Sequence, residues 1–136
     1  MNMDFEAIQR HIDKLVVTYR PDGLEALLVS TDRGVPLFHT GRFFVDAFVR
    51  ASASSFFCAV EQQIRKMNVG AVRTATALHE SATLIHINMS PLVLTLVANS
   101  GANSGSLRSI APGIRDSLGF LKQTVALLLD NHHDIR

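Results

Sequence analysis

The run Leu92-Val93-Leu94-Thr95-Leu96-Val97-Ala98 constrains this chain more than any other feature. It is apolar except for Thr95, rich in β-formers, and bracketed by Ser90-Pro91 before it and Asn99-Ser100-Gly101-Ala102-Asn103-Ser104-Gly105 after it. A short apolar run between a proline and a glycine turn reads as a central strand covered on both faces. A sheet built around it must carry a layer on each side. The remaining segments have to supply those layers.

The first is an amphipathic helix over 4–19. Phe5, Ile8, Ile12, Leu15, Val16 and Tyr19 recur at steps of three and four, opposite Glu6, Gln9, Arg10, Asp13 and Lys14. Pro21-Asp22-Gly23 stops it. Leu24–Ser30 and Val35–His39 form a hairpin across Thr31-Asp32-Arg33-Gly34, where Gly34 suits a left-handed turn position.

A second helix is expected from Val45 to Met67. Val45, Phe48, Val49, Ser52, Phe56, Val60, Ile64 and Met67 make one stripe, read as the core side. Ala47, Ala51, Ser54, Ser55 and Cys58 line a neighbouring face with small side chains that let another backbone come close. Phe56 and Phe57 are adjacent and cannot both face one core, so one of them is free for a partner. Either could be the core residue.

Asn68-Val69-Gly70 ends this helix, and Val72-Arg73-Thr74-Ala75-Thr76-Ala77-Leu78 alternates weakly, as an edge strand would. After a turn at His79-Glu80-Ser81 comes a strand over Thr83–Met89, and then the central strand. Leu107, Ile110, Ile114, Leu118, Leu121, Val125 and Leu128 predict one last helix, kinked or restarted at Pro112-Gly113. Residues 130–136 read as a polar tail. The order is helix, two strands, helix, three strands, helix: an α+β chain forming one domain over residues 1–136.

At 136 residues such a domain buries about two thirds of its unfolded surface without a disulfide or metal staple. Apolar residues make up 47% and charged ones only 18%, so some apolar surface is expected to meet another protein. A formal charge of +1, from 13 Lys+Arg against 12 Asp+Glu, is too weak a field to attract nucleic acid. Cys58 alone cannot form an internal bridge, and no secretory leader pattern occurs, so a reducing compartment is expected. No apolar run approaches the roughly 20 residues a bilayer requires, and neither end carries a lipidation signal, so membrane attachment would be indirect.

The chemistry-bearing residues form no catalytic pattern. Gly101-Ala102-Asn103-Ser104-Gly105-Ser106, between strand and helix, could offer N–H groups to an anion, but lacks the Lys-[Ser/Thr] ending of a phosphate loop and the spacing of a dinucleotide fingerprint. A tight helix-capping connection accounts for it. The six histidines show no metal-ligand spacing and read as solvated surface groups. Cys58 has no histidine near it in sequence and reads as a packing residue. No enzyme activity, cofactor or metal is expected.

Gly23-Leu24-Glu25-Ala26-Leu27-Leu28-Val29-Ser30, Gly34-Val35-Pro36-Leu37, Ser90–Ala98 and Ala102-Asn103-Ser104-Gly105 together resemble the roadblock/dynein light chain superfamily, and within it the branch of Ragulator adaptor subunits. The match spans about residues 23–125. The resemblance implies a five-stranded antiparallel sheet with the long middle helix on one face and the terminal helices on the other. It also implies pairing with a second roadblock-fold subunit through the middle helix and the strand after it. Here those carry Ala47, Ala51, Ser54, Ser55, Phe57 and Cys58, and Val72, Arg73, Thr74, Ala75, Thr76, Ala77 and Leu78.

By the same resemblance the chain is expected to be a scaffold on the cytosolic face of late endosomes or lysosomes, with further Ragulator subunits, Rag GTPases and MAP-kinase components as partners in mTOR and MAP-kinase signalling. Thr40–Phe44, Pro112-Gly113 and Asn131-His132-His133 depart from the family pattern. Two other readings stay open: a homodimeric small-GTPase regulator or dynein-type light chain on the same fold, and a ligand-sensing or hydrolytic domain using the Asn99–Gly105 turn.

Overall fold

The computed structural model describes residues 4–78, 80, 82–99 and 104–134. Helix α1, Phe5–Tyr19, starts at Asp4, whose carboxylate accepts from the Ala7 N–H at 3.0 Å. It ends in a short 3-10 turn closed by Gly23 at φ 101°, a left-handed position that suits glycine. Strands β1, Leu24–Thr31, and β2, Pro36–Thr40, form the expected hairpin, with Gly34 at φ 89°. A 3-10 turn over Arg42–Phe44 leads to α2, Ala47–Arg65, capped by Asp46. Strands β3, Thr74–Leu78, β4, Ala82–Met89, and β5, Leu92–Asn99, follow, then helices α3, Ser104–Ser117, and α4, Gly119–Asp134.

The five strands form one antiparallel sheet in the order β2-β1-β5-β4-β3. β5 is the middle strand, and Leu92–Ala98 are at most 2% exposed. The reading of that run as a strand covered on both faces holds, because its neighbours take both rows of its main-chain groups and helices cover both faces.

Alternation divides the strand residues between two cores. Leu24, Leu27, Val29, Ile85, Ile87, Leu92, Leu94 and Leu96 pack with Ile8, Ile12 and Leu15 of α1 and with Leu107, Ile114, Leu118 and Leu121 of α3 and α4. The opposite faces of the strands supply Ala26, Leu28, Ala82, Leu84 and Val97, which meet Phe44 and Ala53. The second core is the thinner one, with three alanines among its seven residues. Small side chains there bring α2 close to the sheet.

Two expectations about the last helix change. The break falls at Leu118, between α3 and α4, and not at Pro112-Gly113, which lie inside α3. Pro112 is exposed, so the Arg108 carbonyl that it cannot bond lies on a solvent-facing stripe. At the true break the Leu118 N–H is shared between the Ile114 and Arg115 carbonyls, both at 3.2 Å. Residues 130–134, read as tail, continue α4.

The Thr40–Phe44 connection depends on Gly41, at φ 96°. A Cβ there would sit 2.5 Å from the Glu25 carbonyl oxygen and 2.7 Å from Ala26 Cβ. Because neither neighbour is a movable side-chain end, Gly41→Ala is expected to destabilise the fold by about 2–3 kcal/mol, read as a lower urea midpoint. An unchanged midpoint would mean that the connection is not this tightly seated.

Candidate partner-binding surface

Helix α2 is amphipathic the wrong way round for a helix that covers only its own sheet. Toward the sheet it directs Ala53, Ser54 and Phe57, which are buried, and it anchors that side with two charged residues. Arg50 Nη1 donates to the Phe44 and Val45 carbonyls at 2.7 and 2.8 Å, tying the helix start to the preceding turn. Glu61 accepts from the Val72 N–H at 2.8 Å and from Arg65 Nε at 3.1 Å, tying the helix end to the approach to β3. Toward solvent α2 presents Phe48, Ala51, Ser52, Ser55, Phe56 and Ala59. Phe48 is 78% exposed.

This overturns the core stripe read from periodicity. Val45, Phe48, Phe56 and Met67 are exposed and Ser52 faces outward, while Val49, Val60 and Ile64 are only partly buried. Period alone could not choose the face, because the inward stripe holds Arg50 and Glu61 and so scores as polar. Of the proposed partner-binding residues, Phe57 and Ser54 are corrected: both belong to the interior, at 2% and 1% exposure. Phe56 takes the outer role, its ring centroid 5.0 Å from that of His86. Ala47, Ala51 and Ser55 are exposed and Cys58 is half-buried, with Gln62 Nε2 3.7 Å from its sulfur.

His86 is likewise corrected from the solvated-surface reading. It is 1% exposed in β4, beneath Phe56 and Phe57, and its Nδ1 lies in a 2.9 Å hydrogen bond with Thr95 Oγ1. Thr95, the polar exception in the central run, sits there opposite His86. His79, Ser81 and the Ser100–Asn103 part of the turn weighed as an anion site lie outside the described residues.

β3 is one of the two edges of the sheet, the other being β2, and among the described residues it pairs with β4 alone. Thr74, Ala75, Thr76, Ala77 and Leu78 form it; Val72 and Arg73 precede it. The Val72 N–H and carbonyl are taken by Glu61 and Asn88, and the Arg73 carbonyl accepts from the Asn88 N–H, so those groups are engaged within the chain. Ala75 and Ala77 face the α2 side. Their small size leaves an apolar slot of about 420 Å³ between α2 and the β3–β4 edge, with Phe43, Phe48, Val49 and Phe56 on one wall and Ala77, Leu84 and His86 on the other. Val45, Phe48, Phe56, Met67, Val69 and Leu78, half of the twelve large hydrophobics exposed among the described residues, fall on α2, its flanks and β3. An uncovered helix face thus lies beside an unpaired strand edge.

Charge contributes little at this surface. Away from it, burial, reinforced by the Arg50 guanidinium and opposed by Asp13, holds His39 of β2 below the ordinary imidazole value of 6.5. Folding therefore disfavours its protonated form. Stability should fall as pH drops through 6.5 and level off below the lowered value, which urea midpoints across that range would show; a rise on acidification would contradict the assignment. Among the described residues no group of three or more His, Cys, Asp or Glu is placed to hold a metal, and no helix is long and apolar enough to cross a membrane.

The sheet order, the helix layers and the open α2–β3 flank define a roadblock-fold domain. Solved structures agree: Myxococcus xanthus MglB superposes with a TM-score of 0.74 at 12% identity, covering 90% of this chain and 99% of that one. The roadblock/LC7 domain from Streptomyces avermitilis gives 0.55 at 17% identity, covering 82% and 98%. At such identities the likeness concerns the fold alone. A family model described as mitogen-activated protein kinase kinase 1 interacting matches residues 6–125, and the chain belongs to that family. Among curated relatives, the Ragulator complex protein LAMTOR3-B of Xenopus laevis is 26% identical over 107 residues, 78% of this chain and 87% of the relative. The Ragulator complex protein LAMTOR3 homolog of Drosophila melanogaster is 24% identical over 119 residues, covering 87% and 94%.

Proposed function

We propose that this chain is a non-catalytic adaptor subunit of a Ragulator-like complex, joined to a second roadblock-fold subunit through the outer face of α2 and the edge of β3. The observation that carries this reading is the inverted helix: Phe48, Ala51 and Ser55 lie exposed on α2, with Phe56 partly exposed at the edge of the sheet over His86, while Arg50 and Glu61 anchor the inner side. A partner helix can close on the small residues, insert a side chain into the slot beside Phe56, and continue the sheet from β3. A stable association of this kind buries about 800 Å² on each subunit. The mechanism is positioning: one face holds the sister subunit and the others present docking surfaces, with no bond made or broken.

The names of the relatives and the family description support the assignment to Ragulator-type assembly and to MAP-kinase signalling. On that reading the chain sits on the cytosolic face of late endosomes or lysosomes, held by its partners, and contributes to Rag GTPase and mTOR signalling. Affinity purification of the tagged chain with mass spectrometry and light scattering tests this. The expected result is a one-to-one pair with a different roadblock-fold chain, accompanied by further Ragulator subunits. A stable monomer that recovers no such chain would overturn it, and a stable self-pair would move the assignment to a homodimeric regulator.

A further inference from the structure

On the terminal-helix side of the sheet, two shallow clefts meet at Arg115. The first, about 430 Å³, lies between the β3–β4 edge and α3, with Ile85 and Ile87 in its floor, Thr74 and Thr76 along the strand, and Arg108 and Arg115 on the helix side. The second, about 450 Å³, continues past Arg115 to Asp116 and Lys122. Arg108, Arg115 and Lys122 recur every seven residues, so the two arginines stand on one side of α3, about 10 Å apart along its axis. All three are exposed, and none forms an ion pair or hydrogen bond among the described residues. Among the described residues Asp116 is the one carboxylate lining either cleft.

We infer that this trough binds an extended acidic segment of a partner protein, with carboxylates on Arg108 and Arg115 and apolar side chains against Ala111 and the exposed Pro112 between them. Guanidinium groups suit carboxylates because their paired N–H donors match two oxygens at once. Carboxylates two or four residues apart share one face of an extended chain, about 7 or 13 Å from each other, a span that the long arginine side chains can bridge from positions about 10 Å apart. The half-buried Ala111 and exposed Pro112 between the arginines favour a peptide over a nucleic acid, whose phosphates would gain nothing from apolar side chains. The concave shape favours it over a flat lipid surface, which could touch the arginines without filling the trough. The inference does not depend on the proposed pairing: the trough lies on the opposite face of the sheet from α2, and it uses side chains on β3 while leaving the strand's outer main-chain groups free.

Fluorescence anisotropy of the full chain with a short labelled peptide of glutamates interspersed with leucines tests it, with a lysine–leucine peptide as control. The glutamate peptide alone should bind, more weakly as salt rises. Arg108→Gln and Arg115→Gln should each weaken binding about fivefold, and the double charge reversal Arg108→Glu with Arg115→Glu should abolish it. Arg42→Glu, an exposed reversal elsewhere, should leave it unchanged, and an Ala51→Glu variant that has lost its sister subunit should still bind the peptide. Undetectable binding by the unaltered chain, or equal binding by the double variant, would overturn the inference. So would capture by mixed phosphatidylcholine–phosphatidylserine vesicles that the glutamate peptide does not displace.

Discussion

An Ala51→Glu substitution is expected to separate the chain from its sister subunit while leaving its own fold intact. Ala51 is exposed on the outer face of α2, so a glutamate there meets only water in the isolated domain. In the assembled pair the same carboxylate would be buried with no partner, a cost of about 3–5 kcal/mol. That corresponds to a dissociation constant raised about a hundredfold or more. Co-expression with the recovered partner, followed by size exclusion and sedimentation analysis, would report the loss, and circular dichroism would confirm that the helices persist. Ser55→Arg should behave in the same way. Retention of the partner at unchanged affinity by both variants would show that this face is not the contact.

The neighbouring phenylalanines should divide stability from assembly. Phe57 is buried beneath α2 with His86, and its truncation to alanine leaves a cavity that the surrounding strands cannot collapse to fill. A loss of about 3–5 kcal/mol is expected, a large part of a typical domain's 5–15 kcal/mol. Phe56 is 40% exposed, so Phe56→Ala should cost the isolated domain about 1 kcal/mol while weakening partner capture. Denaturant unfolding and partner binding measured on both variants would separate the roles. Equal destabilisation by the two would mean that Phe56 is as much a core residue as Phe57.

These neighbours show where sequence reading succeeds and where it stops. Adjacent helical positions cannot share one face, so the statement that one of Phe56 and Phe57 is interior follows from helix geometry alone. Which one is interior depends on how α2 is rotated on the sheet, where burial of Ala53 and Phe57 combines with the tethers of Arg50 and Glu61. Both are tethered to main-chain groups, six residues back from Arg50 and eleven residues on from Glu61, and no hydrophobic pattern records such bonds. His86 is the same case. A histidine in a strand looks solvated until Thr95, nine residues on, is found across the ladder from it. The Arg108–Arg115 trough was equally invisible, because half of it comes from β3 and β4 and half from α3.

What the residues determined unaided were the local elements and their order. Leu92–Ala98 read as a doubly covered strand, the Thr31–Gly34 turn as a hairpin, and the weak alternation over Val72–Leu78 as an edge. Those properties depend on neighbours within a few positions, where side-chain period and turn chemistry act directly. The tertiary structure alone decided which face of α2 meets the sheet, where the last helix breaks, and which cations share a trough. Each is settled by contacts between segments far apart in the chain, whose energies exceed the weak local preferences that they override.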